Sequence, residues 1–209
     1  MVNTRRLADA PWSGMVEVKP SERDTNMDLT GHKIAFLTKR GVEQPELTEP
    51  WKAIEEAGGE PVLVSDEPGT IVAMIGDWDH GEEFAVDVTL DEANPDDYLA
   101  LVLPGGTINA DKLRSNEKAQ AFVKVFMDAD KPVAPICHGP WVLIDAGVIE
   151  GRTLTSTPRI KHDLINAGAH WVDEEFCVDG NLVSSRSPRD LHAFNPGIVK
   201  AFSEAAQKK

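Results

Sequence analysis

Between two apolar runs, the stretch "PVAPICHGPWVLIDAG" (132–147) sets Cys137, His138 and Gly139 side by side. A nucleophile is well presented where a strand turns sharply into a helix. In the G-x-S-x-G form of such an elbow, glycines stand two residues either side of the nucleophile. Here Gly139 takes the position after Cys137, and Pro135 the position before. A helix N-terminus behind the sulfur supplies unpaired N–H groups and positive potential, which favour thiolate over thiol. Free cysteine is also among the most buried residue types, so spacing alone leaves a packing role open. His138 is adjacent in sequence, and neighbouring side chains usually point apart, so it reads as a wall of the site or as a residue held by a group elsewhere. The Gly105–Gly106 pair closes the apolar run "YLALVLPGG". It either brings bare backbone N–H groups close to a ligand, as an oxyanion hole requires, or makes a tight turn.

Other chemistry-bearing stretches are weaker. "GDWDHGEE" (76–83) gathers Asp77, Asp79, His80, Glu82 and Glu83. Its spacing fits no EF-hand loop, and a polar hairpin tip explains it better than a hard-metal site. Cys177 falls in a hairpin strand and reads as packing or an incidental thiol. His32, His162, His170 and His192 share no spacing that would bind a metal. "PGGTINA" lacks the Gly-Lys-Ser/Thr ending of a phosphate loop, and "LVLPGG" fails G-x-G-x-x-G. No nucleotide or metal cofactor is expected.

These residues need elements to hold them. "HKIAFLT" (32–38) reads as a buried strand, and "PELTEPWKAIEEAGG" as a helix with Leu47, Trp51 and Ile54 on one face and a Gly58–Gly59 stop. "PVLVS" is the next strand. Residues 69–90 read as two strands around a polar turn. Then follow a strand at 98–106, a helix at 116–130, a strand over "KPVAPIC" and a helix over "GPWVLIDAGV". Short elements continue the alternation to a hairpin around Asp179–Gly180 and a closing helix, "NPGIVKAFSEAAQ". Such alternation predicts a mostly parallel sheet with helices on both faces, a flavodoxin-like three-layer α/β sandwich. Sites in such sheets lie at the carboxyl ends of the strands. Three stretches fall there: the segment around Glu43, Gly105–Gly106, and Cys137–Gly139.

The chain has 209 residues, 41% of them hydrophobic and 27% charged, which suits one domain with a sizeable core. We divide it into a polar arm over 1–30, with Trp12 and Met15 as points of attachment, and a single α/β domain over 31–209. The formal net charge of −14 argues against a nucleic-acid partner. The longest apolar runs are too short to span a bilayer. With two cysteines, no disulfide framework and no signal-peptide pattern, the expected location is the cytoplasm.

Taken together, "IAFLTKRGVEQPELTEPW", "NPDDYLALVLPGG", "LRSNEKA", "KPVAPICHGPWVLIDAGVIEGRTLTS", "INAGAHWVDEE" and "VDGNLVSSRSPRDLHAF" resemble the PfpI intracellular-protease family. That family belongs to the class I glutamine-amidotransferase-like superfamily, alongside the Parkinson-linked protein deglycase. The resemblance covers nearly everything from about residue 32 onward. It implies a homo-oligomer, dimer or hexamer, and Cys137 as a nucleophile at a strained elbow. It places Glu43 beside the sulfur, where a carboxyl and a thiolate would share one proton and titrate as a unit. In the family's peptidases the histidine after the cysteine is oriented by an acid of a neighbouring subunit, and matching "ADKLRSNEK" puts Asp111 in that place. Two departures stand out: an Asp where the archetypal peptidase has Glu, and a slightly longer loop after Gly106.

The expectation is a cofactor-independent cysteine enzyme of stress defence. Its substrates would be small reactive carbonyls or glycated proteins. Cys137 would attack, Glu43 would shuttle the proton, and the backbone around Gly105, Gly106, His138 and Gly139 would hold the oxyanion. The alternatives are a peptidase with an intersubunit Cys137–His138–Asp111 triad, and a redox sensor or chaperone that signals by oxidation of Cys137.

Overall fold

A computed structural model describes residues 27–208. The proposed attachment points Trp12 and Met15 lie outside the described residues. Leu29 is already fully buried in the core, and its N–H donates to Ala57 O at 2.9 Å.

In chain order the elements are β1 (Lys33–Leu37), α1 (Gln44–Glu56), β2 (Glu60–Ser65), β3 (Thr70–Ile75), β4 (Asp79–Ala85) and β5 (Val88–Thr89). Next come β6 (Tyr98–Leu103), α2 (Thr107–Arg114), α3 (Glu117–Asp128), β7 (Val133–Pro135) and α4 (Trp141–Asp145). The chain closes with β8 (Thr153–Leu154), α5 (Lys161–Asn166), β9 (His170–Trp171), β10 (Phe176–Asp179), β11 (Leu182–Ser185) and α6 (Leu191–Ala206). Seven strands form the central sheet in the order β10-β11-β7-β6-β1-β2-β5. Every neighbouring pair is parallel except β10–β11, so the flavodoxin-like sandwich read from the sequence is the fold observed.

The period of two along β1 explains the layers. Ile34 and Phe36 point into one core with Leu47, Trp51 and Ile54 of α1 and Phe194, Ile198 and Phe202 of α6. Ala35 and Leu37 point into the other, with Phe122, Val123 and Phe126 of α3 and Leu164 of α5. A strand buried on both faces must be apolar throughout, which is why β1 and β6 read as unbroken hydrophobic runs. Among the described residues no helix is long and apolar enough to cross a membrane.

Two elements differ from the sequence reading. Residues 107–114 form a helix, α2, where a loop was expected. Its buried face is built on Asn109, Ala110 and Leu113 rather than on an apolar stripe. The β3–β4 hairpin stands outside the central sheet as its own two-stranded unit. It is docked by its backbone to the loop after β1: Gly41 N–H donates to Val72 O at 2.8 Å, and Met74 N–H to Val42 O at 2.7 Å. This docking brings the turn of "GDWDHGEE" to the carboxyl edge of the sheet.

Candidate active site

The strand β7 ends at the sheet's carboxyl edge, and its continuation makes the elbow. Cys137 has φ 61°, a left-handed conformation that strains a residue bearing a Cβ. It is held there by Cys137 N–H to Ser185 O at 3.1 Å and Thr157 N–H to Cys137 O at 3.1 Å. Two glycines make the turn possible. A Cβ on Gly139 would stand 2.2 Å from Leu103 O. A Cβ on Gly105 would stand 2.5 Å from a Glu46 oxygen and 2.7 Å from Cys137 Cβ, so this glycine leaves the room that Glu46 and Cys137 share.

The acid beside the sulfur is therefore Glu46, not Glu43. Glu46 is fully buried on the first turn of α1, and its carboxyl faces Cys137. Its Oε2 accepts from Gly105 N–H at 2.7 Å, while its buried Oε1 has no hydrogen-bond partner among the described residues. Burial raises its pKa to about 8, against the pull of the Gly105 N–H. Glu43 caps the helix from an extended conformation (φ −68°, ψ 116°). Its two oxygens accept from Gly76 N–H at 2.8 Å and Asp77 N–H at 2.9 Å, so it ties down the hairpin turn.

The expected lowering of the thiol pKa is not what the surroundings of Cys137 impose. Cys137 is 7% exposed, and burial pushes its thiol up, helped by the nearby Glu46 and Asp77 carboxylates. The His138 N–H pointing at the sulfur opposes this. The helix behind the elbow, α4, has only five residues and brings little dipole.

His138 is closer to the chemistry than adjacency suggests. The left-handed turn at Cys137 swings the two side chains together, and Nδ1 lies 3.3 Å from Sγ. Burial keeps the imidazole neutral at ordinary pH, with a contribution from Arg159 and against the field of Asp77. Thr107 Oγ1 lies 3.4 Å from Nε2 and 3.5 Å from Nδ1 of the ring. Thr107 in turn donates its hydroxyl to Asp77 Oδ2 at 2.8 Å and its N–H to Oδ1 at 2.7 Å. A chain Cys137–His138–Thr107–Asp77 thus runs within one subunit. Asp111 is exposed on α2 and makes no bond to His138 within the chain. The sequence reading took Asp77 only as part of a hairpin tip. Its own left-handed φ of 61° is the local sign of a constrained turn.

The expected backbone donors divide. Gly105 N–H is used by Glu46, and Gly139 N–H by Ile136 O at 2.8 Å, so neither is free for an oxyanion. Gly106 N–H makes no hydrogen bond among the described residues, and His138 N–H is directed at the sulfur. Over Cys137 opens a cleft of about 590 Å³ lined by Glu43, Glu46, Asp77, Cys137, Arg159 and Arg189. That size suits a small molecule or one side chain. Cys177 is remote from it, in β10, with Sγ 3.8 Å from Thr153 O. Among the described residues no group of three His, Cys, Asp or Glu side chains converges as a metal site would require.

Residues 32–201 match the sequence pattern of the DJ-1/PfpI family. The chain is 48% identical over 168 residues to "Deglycase PH1704" of Pyrococcus horikoshii, and 46% identical over 168 residues to "Deglycase PfpI" of Pyrococcus furiosus. Each alignment covers 80% of this chain and 98% of the relative. Among solved structures, a two-domain protein of Anabaena variabilis with DJ-1/ThiJ/PfpI-like and ferritin-like domains superposes with a TM-score of 0.75 at 35% identity. The match covers 80% of this chain and 48% of that one. Drosophila melanogaster DJ-1beta superposes with a TM-score of 0.74 at 23% identity over 85% of this chain and 96% of that one, a likeness of fold.

Proposed function

The chain belongs to the DJ-1/PfpI family, and from that premise we propose that it is a cofactor-independent cysteine enzyme acting on reactive carbonyls or their early adducts on proteins, in the manner of a deglycase or glyoxalase. The observation that carries this reading is the convergence of Glu46 and His138 on one sulfur at the floor of a small cleft. Relatives named deglycases support the direction of the chemistry.

Cys137 and Glu46 share one proton. In the reacting form the buried carboxyl keeps that proton and the negative charge resides on sulfur; burial raises both groups, so this form is a minority at neutral pH and grows as pH rises. The thiolate adds to the carbonyl carbon, forming a C–S bond while the C=O π pair moves to oxygen. Gly106 and His138 N–H groups receive that alkoxide. Glu46 then gives its proton to the oxygen, completing a thiohemiacetal. Neutral His138 takes the proton from the carbon that bears sulfur and returns it to the neighbouring carbonyl carbon, which turns the thiohemiacetal into a 2-hydroxyacyl thioester, and Asp77 stabilises the transient imidazolium through Thr107. A water molecule then adds to the thioester carbonyl, the C–S bond breaks with its electron pair returning to sulfur, and the 2-hydroxy acid leaves as Glu46 recovers its proton from that water. An acid supplied in the same subunit makes a neighbour's Asp111 unnecessary for this sequence of steps.

The test is lactate formation from methylglyoxal, and release of free thiol from the methylglyoxal adduct of N-acetylcysteine. The wild type should produce both and Cys137→Ala neither. Equal product from the two proteins would refute the reading.

A further inference from the structure

The cleft is lined by two short turns of the same hydroxyl–proline–arginine pattern, Thr157-Pro158-Arg159 and Ser187-Pro188-Arg189, one after β8 and one after β11. Each turn is fixed by bonds that leave its arginine unused. The first is pinned by Thr157 N–H to Cys137 O and by Ile160 N–H to Thr157 O at 3.2 Å. The second is pinned by the fork of Arg186, which grips both oxygens of Asp190 at 2.9 and 3.0 Å. Arg159 and Arg189 are both exposed, and neither guanidinium enters an ion pair or hydrogen bond among the described residues. The charge of Arg159 reaches His138.

The acids of the cleft are, by contrast, committed internally. Glu43 is held by two backbone N–H groups, Asp77 by Thr107, and Glu46 by Gly105. A neutral dicarbonyl would need no cation at the entrance. In a chain of net charge −14 an anion would be repelled unless a local positive site received it. Paired guanidiniums on rigid turns match the geometry of a carboxylate or a phosphate.

We propose that Arg159 and Arg189 form an oxyanion-binding entrance that selects substrates carrying a carboxylate or phosphate a few bonds from the reacting carbonyl. This deepens the carbonyl-enzyme reading and rests on it for the identity of the reacting group, but the entrance itself is tested without turnover.

The experiment compares alkylation of Cys137 by iodoacetate and by iodoacetamide, which differ by one charge, with Cys137→Ser run to subtract Cys177. The ratio of the iodoacetate rate to the iodoacetamide rate should fall about fivefold in Arg159→Gln/Arg189→Gln, and about as much in the wild type when salt is raised to ~0.5 M. Arg159→Lys/Arg189→Lys should retain most of it. Inorganic phosphate and acetate should each slow alkylation of the wild type more than of the Gln pair. Stronger protection by one of them assigns the entrance to phosphorylated or to carboxylated substrates. An equal ratio in wild type and Gln pair overturns the entrance while leaving the carbonyl chemistry standing. Failure of both reagents to reach Cys137 overturns both. Lactate formation without any arginine effect removes the inference alone.

Discussion

The two cysteines of this chain occupy contrasting regions, Cys137 buried and Cys177 half-buried. Burial raises both thiols. Cys177 sits in the regular antiparallel ladder of β10–β11, opposite Ser184, with its sulfur toward a carbonyl. Cys137 sits at φ 61° on a turn where β7, β11 and the loop after β8 all hold its backbone. Only there do a carboxyl, an imidazole and a backbone N–H meet one sulfur. It is the strained turn, and not solvent exposure, that gathers these groups around one sulfur.

The largest expected effect separates the two directly. Cys137→Ala should lose at least about a thousandfold in turnover of the N-acetylcysteine–methylglyoxal adduct, whereas Cys177→Ala should stay close to wild type. Equal losses would erase the contrast. Next, the elbow tolerates no Cβ at Gly139, so Gly139→Ala should destabilise the fold by about 3 kcal/mol in urea denaturation. Little change there would mean that Leu103 and the turn relax easily. Third, Glu46 gives folding a pH dependence of its own, falling in the range where exposed carboxylates are already ionised. Its carboxyl binds a proton to about pH 8 when folded but titrates in the usual carboxylate range when unfolded. Its contribution is thus complete below the unfolded pKa and lost as pH rises through the folded one. Wild type should lose on the order of 5 kcal/mol between the two ranges, and Glu46→Gln should be flatter. The smallest effect is expected from Asp77→Asn. Removing its charge should move the His138 titration to lower pH, followed by NMR, and reduce turnover about threefold.

Much of this was legible in the residues. Unbroken apolar runs announced β1 and β6, and "PICHGP" announced the elbow, because burial on both faces and a sharp turn leave direct marks on residue type. The acid was not legible. Glu43 and Glu46 are three apart, a spacing that places two residues on one helical face. Only the N-cap conformation of Glu43 turns it toward the hairpin and leaves Glu46 at the sulfur. Helix α2 escaped because its inner face rests on a polar residue. Asn109 donates to Pro104 O and Gly105 O and accepts from Lys39 N–H, and no hydrophobic period records that. Asp77 escaped because its partner Thr107 lies across a hairpin docking that the local sequence does not encode.

The central claim, one proton shared by Cys137 and Glu46, is tested most directly by the rate of Cys137 alkylation with iodoacetamide as a function of pH. The account predicts a reactivity that rises as the pair loses its first proton, and that drops about tenfold in Glu46→Gln with a change in the shape of the profile, while Glu43→Gln keeps the wild-type shape. A single rise near the ordinary thiol pKa of about 8.5, the same in all three proteins, would contradict it.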